Sequence, residues 1–501
     1  MRLAWNMVAG MANSVVLVLV SLVALPFYLR FLGMEAYGLI GFYATLQAVL
    51  QVLDLGLAPT VSREIAHGAE TGQRRRSASM LRTLGVVYIG VALLIAAIVA
   101  LAAPWIGAHW LQAKALPDAT VAQAVALMGV NLACRWPISL YHGALVGAHR
   151  LARSAATSMA INILAAITTI AVLAWGECSI QAFFVVQAAF GLLQAIVLRV
   201  LARRAVGERD APYDFADLKR VWHFSAWMSG VAITSLVFTQ LDKALLSRLI
   251  DLSAFGHYML AALLVSGLSV LTGPSFNVIY PKFTTLHARG DDVALAKFYS
   301  DTSRMYAAAI FSLALALSLH VEALVTLWTG RADVALHVAP IVGLLAIGSA
   351  LNGVMYFPYA LQLAKGRPRI PLGINLGLLV LALPVIVWLA THYGAIGGAL
   401  SWALLGVAYL FVGTIVTGHK VAGFAGIAWL ARDIAVPLLI ALMPALAGAW
   451  VSRAFSLSPW TETAIAILAA CVGIAVGALY SPFARQQVLA FVGGRTRLCP
   501  N

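Results

Sequence analysis

Charge is what this chain has least of. Only 10% of its 501 residues are Asp, Glu, Lys or Arg, against roughly a quarter in ordinary soluble domains. A water-soluble protein of this length could not cover its surface with so few ions, so the surplus apolar residues face lipid. Cysteine is equally scarce. Cys134 and Cys471 lie inside apolar runs, Cys178 stands in a short loop and Cys499 in the tail. With no CxxC and no His/Cys cluster at ligand spacing, neither a disulfide framework nor a metal site is expected. A Walker lysine loop is also missing, so ATP hydrolysis would have to come from another chain. No other constellation of catalytic residues is present, and no cofactor is implied. The lack of a glycine period or polar tract excludes collagen-like and disordered chains.

What remains is apolar sequence in long runs. Hydrophobic residues make up 62% of the chain, and runs of the ~20 residues needed to span a bilayer recur throughout. Reading them in order gives an all-α polytopic membrane protein of about fourteen spans, from 9–29 and 37–61 to 434–452 and 461–483. The first run is longer than a signal-peptide core and lacks an A-x-A cleavage site, so it is expected to be retained. The uncharged stretch from Ile370 to His419 holds two spans, with its break at Thr391–Gly394.

The net charge of +14 sets topology rather than binding nucleic acid. Alternate loops carry clusters such as Arg74–Arg76, Arg150 with Arg153, and Lys365, Arg367 and Arg369. The opposite loops carry only Arg30, Lys114, Arg331 and Arg453. The positive-inside rule therefore puts both termini in the cytoplasm, as an even span count requires.

The sequence also repeats itself. Arg30–Gly38 resembles Arg248–Gly256, with arginine, alanine and glycine coinciding when the two segments are laid side by side. Six spans separate the copies, so both have the same orientation, as in parallel-repeat transporters. This predicts an N-terminal lobe over 1–205, a cytoplasmic linker over 206–221 and a second lobe over 222–420. An interfacial segment follows at 421–433, then spans thirteen and fourteen with the tail at 434–501.

Several of these motifs match a known family. Asn6, Pro26–Gly33, Tyr37-Gly38, Leu53–Leu57 and Arg63 resemble the opening of the Wzx-type polysaccharide flippases. Gln240–Lys243, Gly256 and Tyr258 resemble that family's seventh and eighth spans, and Tyr393–Ala399 its eleventh-to-twelfth junction. The likeness covers about the first 420 residues. It implies the two-lobed fold of the multidrug/oligosaccharidyl-lipid/polysaccharide exporter superfamily, working by alternating access. It further implies that undecaprenyl-diphosphate-linked oligosaccharide is moved from the cytoplasmic to the periplasmic leaflet of a bacterial inner membrane, for O-antigen or exopolysaccharide synthesis. The expected partners are that lipid-linked oligosaccharide, membrane lipids, and the pathway's polymerase and glycosyltransferases.

Charges within spans are the candidates for function, because each costs ~2.5–3.5 kcal/mol even on the lenient insertion scale. Arg135, mid-way along span four and beside Pro137, and Lys243 in the outer third of span seven are the candidate contacts to an anionic diphosphate. A guanidinium fork suits phosphate, although an interhelical pair with an acid explains Arg135 equally well. Asp54, Asp242 and Glu322 are candidates for charge pairs or for coupling to a proton or sodium gradient. Asp54 suits a helix–helix hydrogen bond at least as well as a proton relay, and hydration could satisfy Glu322 and His320 near the outer interface. Two other classes compete with a flippase. A multidrug or cation extruder would favour acidic residues over these cations. A glycosyltransferase, polymerase or scaffold would need long extramembrane loops bearing acidic motifs, which are lacking.

Overall fold

The apolar runs become helices, and among the described residues no β-strand forms. The computed structural model describes residues 2–51, 54, 57–207, 212–213, 236–481 and 485, with side chains from residue 16 onward. The chain divides into two compact units, Met1–Gly256 and His257–Asn501. The first begins with α1 (Arg2–Gln51), α2 (Leu57–Glu70), α3 (Arg74–Trp105) and α4 (Asp118–Arg135). It continues with α5 (Pro137–Gly147), α6 (Leu151–Trp175), α7 (Ile180–Val206) and a helical stretch over 236–249. Then come α8 (Leu252–Ser266), α9 (Ser269–Ala288), α10 (Asp292–Leu319), α11 (Val321–Thr329) and α12 (Ala332–Val354). The chain closes with α13 (Tyr356–Ala364), α14 (Arg369–Lys420), α15 (Val436–Ala454) and α16 (Pro459–Tyr480).

Among the described residues ten helices are long and apolar enough to cross a membrane, and eleven if α8 and α9, bent by 41°, count as one span. Two of the ten are double. At 1.5 Å per residue, the 52 residues of α14 would make a rod of ~78 Å, more than twice the hydrocarbon thickness. It kinks at Gly394 (φ 57°), inside the expected junction, and α1 kinks at Gly33 (φ 81°). Glycine alone takes such backbone angles without a Cβ penalty. The expected seventh span, the linker at 206–221 and Cys499 fall wholly or mostly outside the described residues, so the count of fourteen stays an expectation. Residues 236–256, placed by the sequence pattern at the front of the second lobe, cluster with the first unit.

Helix ends follow local chemistry. Ser179 and Ser458 cap α7 and α16 with their hydroxyls, and Asp291 caps α10 with its carboxylate. α7 closes on Gly207 in the left-handed region, with Arg203 and Arg204 in its last turn. α2 buries Leu57, Val61 and Ile65 at helical spacing and turns Arg63 and Glu70 outward. On the spanning helices the outward face is apolar instead: Leu101 of α3 is 82% exposed and Val380 of α14 73%. Such side chains belong in lipid.

Two expected continuous elements are interrupted: the ninth span breaks at His320 and the tenth at Met355. In the second, α1 is described to Gln51 and α2 from Leu57, with Asp54 in a tight helical turn between them. In the segment 421–433, Trp429 is buried against Tyr299 and Asp433 is wholly buried, so the segment is anchored within its unit and runs on into α15. The reason is electrostatic: Arg304 of α10 needs the carboxylate that Asp433 supplies.

The internal repeat extends far beyond the nine-residue motif. α2 and α9 end at Glu70 and Ala288, and α3 and α10 begin at Arg74 and Asp292. α6 and α14 begin at Leu151 and Arg369. Each pair keeps the same sequence offset that carries Arg30 onto Arg248. The motif copies themselves meet reciprocally. A Cβ added to Gly38 would stand 2.3 Å from the Leu252 carbonyl oxygen, and one added to Gly256 2.6 Å from that of Met34. Met34 and Leu252 are themselves equivalent positions of the repeat, so the contact has local two-fold character.

Candidate functional site

Proline fixes where Arg135 sits. Pro137 has no amide hydrogen and its ring crowds the carbonyl four residues back, so α4 ends at Arg135 and α5 starts at Pro137. Asn131, one turn earlier and fully buried, shares a helix face with Arg135. Arg135 Nε donates to Asn131 Oδ1 at 3.2 Å, and Nη2 donates to Gln187 Oε1 of α7 at 2.8 Å. The Tyr43 hydroxyl donates to the same Asn131 oxygen at 3.1 Å, and Gln187 Nε2 donates to Thr169 of α6 at 3.2 Å. Gly191 makes room for the arginine stem: a Cβ there would stand 2.8 Å from Arg135 Cγ. Both hydrogen-bond partners of the guanidinium are neutral. Among the described residues no carboxylate lies within ion-pair distance of this half-buried group. The amides aim the fork and leave its charge uncancelled.

Lys243 differs. Its Nζ donates to the Thr239 carbonyl at 2.9 Å and folds back onto the buried Asp242 carboxylate at 3.2 Å. Neighbours on a helix point ~100° apart and need not meet, but four methylenes let lysine reach round. Its charge is largely spent on Asp242, and it lies in the same compact unit as Arg135.

Asp54 ties three helices together. Its Oδ1 accepts from the Tyr88 hydroxyl of α3 and from Ser139 of α5 at 3.2 Å, and its Oδ2 faces the Ala58 amide of α2 at 3.4 Å. Glu322 stands exposed in the first turn of α11. Its neighbour His320 is buried, with Nδ1 3.3 Å from Glu462 Oε1.

Three acids escaped notice in the sequence. Asp433 accepts from Arg304 Nε at 2.6 Å, Ser300 at 2.5 Å and Arg432 at 2.9 Å. Glu462 faces His320. Glu35 accepts the backbone amides of Lys114, Ala115 and Leu116 at 2.9–3.0 Å. That loop also grips the second motif copy: Leu252 N donates to the Gln112 carbonyl at 2.9 Å, and Gln112 Nε2 to the Arg248 carbonyl at 2.8 Å. Trp110 donates to Ser247 at 3.1 Å, and Lys114 pairs with Asp251 at 3.3 Å. One loop thus straps both copies of the repeat. Polar residues at four-residue spacing inside apolar runs, such as Asn131 with Arg135, were the signal available for the amide network.

This arrangement of apolar helices, paired motifs and a few buried polar networks defines a polytopic all-α membrane fold. Among solved structures the chain is similar to the lipid II flippase MurJ in an inward closed conformation, with TM-score 0.68 and 13% identity, covering 96% of this chain and 99% of that one. It is also similar to an inward-facing multidrug resistance MATE family transporter of the MOP superfamily, with TM-score 0.58 and 13% identity, over 80% of this chain and 94% of that one. At such identities the likeness shows the fold alone. A candidate O-antigen transporter of Shigella flexneri is 21% identical over 419 residues, covering 81% of this chain and 95% of that protein. The sequence profile of the family described as polysaccharide biosynthesis protein matches residues 4–287, more than half of the chain. The protein belongs to that family.

Proposed function

We propose that the protein is a flippase that carries undecaprenyl-diphosphate-linked oligosaccharide from the cytoplasmic to the periplasmic leaflet of a bacterial inner membrane, by alternating access. The observation that carries this reading is Arg135, a mid-span cation aimed by two amides and, among the described residues, within ion-pair distance of no acid. A diphosphate leaving water faces a large desolvation penalty, and a fixed guanidinium replaces part of the lost hydration with donors matched to phosphate. The polyprenyl tail stays in lipid throughout. The protein itself then performs no bond chemistry and holds no cofactor, and a proton or sodium gradient gives the cycle its direction. The O-antigen transporter name of the Shigella relative and the lipid cargo named for MurJ support the same cargo class. A cation extruder fits less well, because an uncancelled arginine repels its cargo.

Arg135→Ala should abolish polymer export while leaving protein levels in the membrane intact. Arg135→Lys should retain part of the activity, since the charge survives but the fork to Asn131 and Gln187 does not. Export at the wild-type rate by the double variant Arg135→Ala/Lys243→Ala overturns the electrostatic reading.

A further inference from the structure

A second basic site lies in the first unit and shares no residue with the Arg135 network. A cavity of about 170 Å³ opens among α3, α5 and α7. Arg82 of α3 and Arg199 and Arg203 of α7 line it. The two α7 arginines are four residues apart, so their side chains project from one helix face at neighbouring turns, an arrangement of like charges that destabilises a helix. Among the described residues neither has a carboxylate within ion-pair distance. Tyr141 of α5 is 3% exposed and lines the same cavity. Among the described residues, three guanidiniums and this tyrosine line the cavity and no acidic side chain does.

The surroundings specify what answers these donors. Val86 and Ile89, one turn apart on α3, line the cavity while 47% and 40% exposed on the apolar face of the helix. A ligand here touches lipid as well as arginine. On the far side Arg82 stacks on the Tyr213 ring at 4.3 Å, and the Ser79 hydroxyl donates to the Pro212 carbonyl at 2.5 Å, which holds that segment over the opening. The volume suits a phosphate with a few waters, at about 30 Å³ of liquid volume per water. By the positive-inside reading this end of the helices is cytoplasmic. Anionic lipids concentrate on that side, and basic pockets between spanning helices bind their head groups.

We infer that this cavity binds the phosphate of a membrane lipid, with Arg199, Arg203 and Tyr141 holding the phosphate oxygens and the lipid chain lying along Val86 and Ile89. Native mass spectrometry of the full-length protein in detergent tests this with four probes: phosphatidylglycerol, phosphatidylcholine of the same chains, a polyprenyl diphosphate, and inorganic phosphate. Phosphatidylglycerol should be retained about tenfold more than phosphatidylcholine. Arg199→Gln/Arg203→Gln should remove that preference, and Tyr141→Phe should weaken it, whereas Arg150→Gln, a basic residue outside the cavity, should not. Stronger retention of polyprenyl diphosphate, lost in the same variants, also supports the site and names the cargo lipid as its ligand. Equal retention of both phospholipids, undiminished retention by the double arginine variant, or binding of inorganic phosphate as tight as that of any lipid overturns the inference.

Discussion

Gly38→Ala is the smallest change that should move the protein between its conformations. The new Cβ would stand 2.3 Å from the Leu252 carbonyl oxygen, well inside ordinary van der Waals contact, and a backbone carbonyl cannot swing aside as a flexible side chain does. Overpacking of this kind costs about 1–3 kcal/mol. The helix-propensity gain of about 1 kcal/mol from replacing glycine applies whether or not the two motif copies touch, so it introduces no bias. Only the state in which they touch is penalised, and its population relative to the separated state should fall roughly 5- to 150-fold. Gly256→Ala, with its Cβ 2.6 Å from the Met34 carbonyl, should act in the same direction. The assay is labelling of Ser253→Cys by an impermeant thiol reagent in intact cells, in a background lacking the four native cysteines. Labelling should accelerate in both glycine variants and stay unchanged in Gly90→Ala, where an added Cβ meets nothing within 4 Å. Unchanged labelling in both contact variants, at normal protein levels, would refute the idea that the two motif copies separate and expose Ser253.

Asp433→Ala strands Arg304 in a site where the carboxylate is fully buried. Breaking such a pair costs about 3–5 kcal/mol, while replacing both partners by apolar residues is far milder. Thermal unfolding in detergent should therefore show a marked drop for the single variant and substantial recovery in Arg304→Met/Asp433→Leu; an unshifted single variant contradicts the assignment. The strap gives a separate test. Gln112 and Asp251 pair as extended backbone neighbours, close enough for a disulfide, so Gln112→Cys/Asp251→Cys should lose export on oxidation and regain it on reduction. A fully oxidised pair that still exports would show that the strap never has to open.

The fold was legible because lipid imposes it: spanning helices must be long, apolar and internally hydrogen-bonded. The turn at Gly394 and the helix break beside Pro137 were readable because glycine and proline act on the backbone directly. The repeat was visible through one motif, although its full extent shows only in the helix ends. Cancellation of charge was not legible. Lys243 and Asp242 are adjacent in sequence, and only the lysine rotamer decides that they pair. Arg135 finds Gln187 on a different helix, and the choice between an amide and an acid rests on which helix faces which. Segment 421–433 reads as an interfacial strip by its apolar length, and the burial of Trp429 and Asp433 within the unit is not readable from that length. The basic partner that demands Asp433 is Arg304, far earlier in the chain on α10, beyond the reach of any local pattern.

The repeat also separates structural charge from working charge at Asp54. The offset that carries Arg30 onto Arg248 carries Asp54 onto Thr272 and Tyr88 onto Tyr306. In the second copy the Tyr306 hydroxyl and Thr272 Oγ1 share a hydrogen bond of 2.8 Å, in the place where Tyr88 donates to Asp54 in the first. One scaffold bond thus exists in two forms, neutral in one copy and charge-assisted in the other. A bond needed only to hold helices together tolerates the neutral form. Asp54→Thr copies that form: it keeps an acceptor for Tyr88 and loses the carboxylate that Ser139 and Ala58 also use. Neutral hydrogen bonds contribute about 0.5–1.5 kcal/mol and those to charged groups about 1.5–3 kcal/mol, so stability should fall by roughly 1–2 kcal/mol. Export should persist in proportion to the protein that reaches the membrane. Asp54→Ala should fare worse, because the buried Tyr88 hydroxyl then loses its carboxylate acceptor. The decisive result is export per molecule. If Asp54→Thr folds and inserts normally but exports nothing, the carboxylate carries a proton or ion in the transport cycle, and the scaffold assignment fails.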